Sequence, residues 1–177
     1  MPNSTNIRCL IWRVSSNCRI RHWHGRGVHS PTAYRFTREV FVRRRRLPRQ
    51  GSLYSLLIEK GFGRSISGIL QATYIHFGCG SCHISGTASI SEVLQSDSEA
   101  PAMYVIPSTT DNDTLSYITE QARKKQSIIC LITPRSTIKW YNTCLTITKR
   151  HEGMSIDCRN MIMLLNMGRI NREHIKL

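Results

Sequence analysis

The segment Ser127-Ile128-Ile129-Cys130-Leu131-Ile132 is apolar at nearly every position and stops at Thr133-Pro134. A strand with one wet face alternates apolar and polar residues. An unbroken apolar run of this length suits a parallel strand covered on both faces. A chain carrying such a strand needs helices above and below a sheet, which makes an α/β fold the first expectation.

The flanking sequence supplies the other layers. Ala102-Met103-Tyr104-Val105-Ile106 stops at Pro107 and reads as a strand, as does Ala72-Thr73-Tyr74-Ile75-His76-Phe77, which stops at Gly78. Asp113 can cap a helix running to about Lys125, with Leu115, Ile118 and Ala122 on one face. Ile138 to Arg150 has helical spacing, with Tyr141, Cys144, Leu145 and Thr148 turned inward and Trp140 and Tyr141 packing in the core. Met154-Ser155-Ile156-Asp157 and Met161-Ile162-Met163-Leu164-Leu165, parted by Cys158-Arg159-Asn160, predict a closing antiparallel hairpin. Upstream, Pro31 to Val42 offers a helix with Pro31 in its first turn. A second short helix begins at Leu53 and ends at Gly61-Phe62-Gly63.

Charge divides the chain. Residues 1–50 hold twelve arginines, no lysine and a single acid, Glu39, and so carry +11 of the formal +14. The 177 residues suffice for one modest core, so the expected organisation is a basic arm over residues 1–50 and an α/β domain over 51–177. The run Arg43-Arg44-Arg45-Arg46 is the arm's densest point. It could be a solvated, self-repelling linker, part of an organellar transit peptide, or a non-specific contact to nucleic acid through phosphate charge. No apolar run in the sequence approaches the ~18 residues of a membrane span.

Seven cysteines, an odd number without a framework, fit a reducing, cytoplasmic setting. Only Cys79-x-x-Cys82 has ligand spacing. Four-ligand zinc would have to recruit His83, His76 or the Cys18/His22/His24 group, whereas buried free thiols need no partner. His22, His24 and His29 suit ordering of the turn before Pro31, and Ser30 and Ser81 have no sequence-adjacent base to activate them.

Three stretches, in order, resemble a bacterial methyltransferase-like family with the class I fold. His24-Gly25-Arg26-Gly27-Val28-His29-Ser30-Pro31 is similar to its opening His-Gly-(Val/Ile)-His-Ser-Pro-Phe signature, with Gly25-Arg26 inserted and Thr32 at the Phe position. Pro101 to Tyr117 resembles a strand followed by a Thr-Leu-x-Tyr helix start, here Thr114-Leu115-Ser116-Tyr117. From Ile128 onward, Trp140, Ser155-Ile156-Asp157 and Glu173-His174-Ile175-Lys176 fall where the family carries a helix Trp, a Ser-Ile-Asp strand and a Glu/Lys-His-Phe-rich end.

The resemblance implies a Rossmann-like sheet with an S-adenosylmethionine site on the glycine-rich turn after the first strand. On this reading the turn is Gly78, Cys79, Gly80 and Ser81, where the lack of a Cβ admits the cofactor's amino-acid end. As a plain strand-ending turn the same residues would look alike. A small-molecule methyl acceptor would be the substrate.

Departures from the family are concentrated at its functional positions. His76 stands where an acid precedes the first glycine. Pro107-Ser108-Thr109-Thr110 replaces Asp-Gly-x-His, and Thr133-Pro134 replaces an acidic pair that binds a divalent cation in related enzymes. No metal is therefore expected, and no catalytic residue can be assigned. The span between Phe77 and Met103 is too short for the two βα units that normally lie there. The class I order 3-2-1-4-5-7-6 would then shrink to a sheet of about five strands, 1-4-5-7-6, with its final hairpin antiparallel. The acid that holds the ribose hydroxyls would be lost with the second strand. Hydrogen bonds to a charged group are worth ~1.5–3 kcal/mol, so that loss alone weakens cofactor binding roughly 10- to 150-fold.

The sequence thus predicts a degenerate methyltransferase-like protein with weak or lost activity. The alternatives are a non-enzymatic nucleic-acid-binding protein working through its basic arm, or a decayed relative with no selected function. A trimmed sheet would also expose an edge strand on which two copies could pair.

Overall fold

The structure, a computed structural model, describes residues 31–42, 52–86, 90–95, 99–158, 160–167, 172 and 174–177. The basic run Arg43–Arg46 and residues 24–30 of the opening motif lie outside them, as do His22 and His24.

Residues 72–77, expected as a strand, instead close a helix, Arg64–His76 (α3). Its buried face, Ile69, Leu70 and Thr73, belongs to a continuous core, and packing of that face outweighs the strand preference of the aromatic and β-branched residues at its end. The helix is preceded by α1 (Pro31–Phe36), which runs into a π-helical turn at Thr37–Val42, and by α2 (Ser52–Glu59). Pro31 begins α1, where its missing N–H costs no hydrogen bond.

The place next to the central strands is taken by β1 (Ser81–Ser85). Its apolar side is only Cys82 and Ile84, flanked by Ser81, His83 and Ser85, so it carries little strand signal. The chain continues through β2 (Ile90–Gln95), β3 (Ala102–Ile106), α4 (Asn112–Lys124), β4 (Ser127–Ile132), α5 (Ile138–Arg150), β5 (Met154–Cys158), β6 (Met161–Asn166) and β7 (His174–Lys176).

The strands form one seven-stranded sheet in the order β2-β1-β3-β4-β6-β5-β7, two more than the five expected. β1, β3 and β4 are parallel, β6 runs antiparallel between β4 and β5, and β7 lies parallel to β5. The extra strands are β2, folded back antiparallel on β1, and β7 at the far edge. A parallel pair ordinarily needs a long crossover. Between β1 and β3 the return is made by β2, and no helix intervenes among the described residues.

Alternation along the strands builds two cores. Met103 and Val105, Ile128 and Cys130, and Met161 and Met163 meet Phe36 and Val40 of the first helix, with Leu53, Leu57 and Leu70, on one face. Ile106, Ile129, Leu131, Ile162 and Leu164 meet Leu115, Ile118 and Ala122 of α4 and Trp140 and Cys144 of α5 on the other. β4 is buried at every residue, as its apolar run requires. The helix over residues 31–42, basic by composition, thereby joins the core of the body.

Two caps refine the reading. Asp111, not Asp113, caps α4, its carboxylate accepting from the Thr114 backbone N–H and hydroxyl, each at 2.8 Å. Thr137 caps α5 through the Trp140 N–H, and the Trp140 indole donates to the Ile132 carbonyl at 3.1 Å, fixing the helix to the end of β4. The buried stripe of α5 is Trp140 and Cys144; Tyr141, Leu145 and Thr148 are only half-buried.

Candidate functional site

The chain leaves β1 toward one edge of the sheet, through β2, and leaves β3 toward the other, through α4. Ligands of open α/β sheets gather at such a switch point, outside the carboxyl ends of the strands. Here those ends are Ser85-Gly86, residues 107–111 and residues 133–135.

The crevice is bridged. Ser85 Oγ and Thr110 Oγ1 share a hydrogen bond at 2.7 Å, and both residues are buried. Two residues back along β1, the His83 ring stacks on Tyr104 with centroids 5.1 Å apart. Burial, with a smaller contribution from Tyr117, pushes the Tyr104 phenol upward.

At the end of β4, Thr133 adopts a positive φ of 44°, rare for a β-branched residue, while its N–H donates to the Asn160 carbonyl at 2.8 Å. Arg135 and Asp157 form a buried ion pair, with Nη2 3.3 Å from both carboxylate oxygens. Two carboxylates near this edge are thus engaged, Asp157 by Arg135 and Asp111 by the α4 cap, while Asp113 is exposed in the first turn of α4. Among the described residues no group of three or more His, Cys, Asp or Glu side chains could hold a metal ion.

Gly78, Cys79, Gly80 and Ser81 lie at the opposite end of the sheet, between α3 and the start of β1. The position follows from residues 72–77 being helical. Gly78 has φ 58° and its N–H, with that of Cys79, closes on the Ile75 and Tyr74 carbonyls of the last helical turn. Glycine serves here as a helix stop, where a residue without Cβ enters the left-handed region freely. Cys79 and Cys82 are buried free thiols pushed up to about 12 by desolvation. Ser81 has His83 Nε2 at 3.2 Å, a partner two residues along the same strand that the sequence reading passed over. Both side chains lie within the sheet, and Ser81 is buried.

The positions that sequence reasoning missed are Ser85-Gly86 and the Arg135–Asp157 pairing, and His83 figures in it only as a zinc ligand. The signal for the first was available: Ile84-Ser85-Gly86 is also an apolar residue running into a glycine, weaker than Phe77-Gly78 only because β1 is short and polar.

A cleft of about 1050 Å3 runs between α4 and α5 from their first turns to their last, and none of residues 78–81 lines it. No helix among the described residues is long and apolar enough to cross a membrane. Compared with family models, characterised proteins and solved structures, the chain matches none.

Proposed function

We propose that the chain is a class I S-adenosylmethionine-dependent methyltransferase-like protein whose cofactor grip and catalysis are weak or lost. The observation that carries this reading is the strand order β1-β3-β4-β6-β5 with β6 reversed. It coincides with the order 1-4-5-7-6 of a class I sheet trimmed at one edge. The motif positions support it too: Thr114-Leu115-Ser116-Tyr117 opens α4, and Ser155-Ile156-Asp157 lies in β5.

The residues present do not fit the cofactor. The Ser85–Thr110 bond occupies the crevice where its amino-acid end would lie, His83 stands near the end of β1 where an acid would anchor it, and β2 replaces the strand that carries the ribose-binding acid. Calorimetric titration with S-adenosylmethionine tests the reading: no micromolar binding is expected. Micromolar affinity together with transfer of labelled methyl to a small hydroxyl or amine acceptor would overturn it.

A second reading rests on the +11 of residues 1–50, with Arg43–Arg46 as a contact to nucleic acid. Fluorescence anisotropy with mixed-sequence DNA and RNA should then show affinity that falls steeply between 50 and 200 mM salt. Replacing Arg43–Arg46 with glutamine is the fair variant, because deleting residues 1–50 would also remove Phe36 and Val40 from the core. Salt-insensitive or absent binding removes this reading. The edge strands β2 and β7 are where two copies could pair, and the buried free thiols favour a reducing compartment such as the cytoplasm.

A further inference from the structure

The cleft between α4 and α5 has a chemistry unrelated to the crevice at the strand ends. At about 1050 Å3 it is at the upper end of the size of small-molecule sites. Its floor is apolar, formed by Ile129 of β4 and Leu164 of β6 with Leu115 and Ile147 from the helices.

Its walls carry four hydroxyls, each already donating to its own helix. Ser116 donates to the Asn112 carbonyl at 2.8 Å, Thr119 to Ser116 at 2.9 Å, Thr143 to Lys139 at 3.1 Å and Thr146 to Asn142 at 2.9 Å. A hydroxyl has one proton and two lone pairs, so these four offer acceptors and no donor to a ligand. Asn112 and Asn142 on the same walls can donate as well as accept, so the four hydroxyls favour a ligand that brings hydroxyl or amine hydrogens without requiring one.

One end of the cleft carries two arginines without side-chain partners. Arg123 from the last turn of α4 and Arg150 from the last turn of α5 line it, and neither has a side-chain hydrogen bond or ion pair among the described residues. Three carbonyls at these helix ends already accept side-chain hydrogen bonds. Asn166 Nδ2 donates to those of Ala122 (2.6 Å) and Lys125 (3.2 Å), and Arg172 donates to that of Lys149 at 3.1 Å. Glu120 and Glu152 line this same end, so its formal charge is balanced, and Lys139 lines the other end.

We propose that this cleft binds a nucleoside phosphate. The phosphate pairs with Arg123 and Arg150, the sugar hydroxyls donate to the Ser and Thr oxygens, and the base lies against Ile147 and the accessible edge of Ile129. An anion alone would leave the acceptor-lined walls unused, and an uncharged nucleoside would leave the arginines unpaired. The site is independent of the methyltransferase reading.

Isothermal titration of the full chain with AMP, adenosine and inorganic phosphate tests it. AMP should bind more tightly than either fragment. Arg123→Gln with Arg150→Gln should weaken AMP and phosphate by about tenfold or more, the loss of charged hydrogen bonds, and leave adenosine unchanged. Thr143→Val should weaken AMP and adenosine but not phosphate, and a glutamine variant of Arg43–Arg46 should alter none of them. Both arginines are exposed, so an unchanged melting temperature will verify the fold. No AMP binding at millimolar concentration, affinity untouched by the double variant, or binding that follows Arg43–Arg46 would overturn the proposal.

Discussion

The Ser85 and Thr110 hydroxyls lie 2.7 Å apart in a buried setting and tie the end of β1 to the turn that follows β3. Removing one member leaves the other without its partner, which costs about 1–3 kcal/mol when a buried polar group goes unsatisfied. Ser85→Ala and Thr110→Val should each lower the free energy of urea unfolding by that order, and the double variant by less than their sum. Additive effects would show that the two hydroxyls act independently.

Arg135 and Asp157 invite a similar cycle with larger stakes. Breaking a buried ion pair on one side costs about 3–5 kcal/mol, whereas replacing both charges by apolar residues of similar size is often close to neutral. Asp157→Ala should therefore be severely destabilised in chemical denaturation. Arg135→Met with Asp157→Leu should recover most of the loss.

His151 gives the stability a pH dependence. Its ring is half-buried, Nε2 lies 3.1 Å from the Leu165 carbonyl, and desolvation, followed more weakly by Arg123 and Arg172, holds it below its ordinary value of 6.5. The backbone bonds oppose this shift without cancelling it. With the folded value depressed, the unfolded chain binds the proton more readily, so stability is full above pH 6.5 and declines as pH falls from there toward the folded value. Unfolding measured from pH 8 to pH 5 should show this decline, and His151→Gln should flatten it.

Gly153 sits in the turn between α5 and β5, where an added Cβ would collide with the Leu165 backbone carbonyl and crowd the His151 ring. The carbonyl belongs to β6 and has little freedom to yield. Gly153→Ala should cost about 1–3 kcal/mol, the usual penalty of overpacking, seen as a fall of several degrees in melting temperature. Ala at Gly63, where nothing lies within 4 Å, is the control.

Five thiols among the described residues should be silent. Cys79, Cys82, Cys144 and Cys158 are pushed up to about 12, mainly by burial, and Cys130 is raised as well. Since the thiolate is the reactive form, a Cys9→Ser, Cys18→Ser variant should resist a disulfide-exchange reagent at pH 8 until denaturant is added. Rapid labelling of the native variant would contradict this.

What the sequence disclosed follows from where the side chains carry the decision. β3, β4 and α5 have the bounds their residues suggest, because an apolar run stopped by proline, or helical spacing begun by a hydroxyl cap, leaves few alternatives. The end of α3 misled because Thr73, Tyr74 and Ile75 favour strands locally, while the helix is imposed by Ile69 and Leu70 packing against residues far away in the chain. β1 was passed over for the converse reason: two apolar residues among serines and a histidine become a strand only because β3 supplies the neighbour. That single shift moved the candidate loop from one end of the sheet to the other. The Ser85–Thr110 and Arg135–Asp157 pairs, separated by 25 and 22 positions, follow from topology and have no local signal.

The hairpin that replaces a crossover helix between β1 and β3 also sets how the molecule should loosen. β4 has a strand on either side and helices packed on both faces, whereas β2 has a single neighbouring strand among the described residues. Local opening free energies grade with such protection. Amide exchange should therefore be fastest at the β2 and β7 margins and slowest in β4 and β6, so that thermal breathing unzips the sheet from its edges inward.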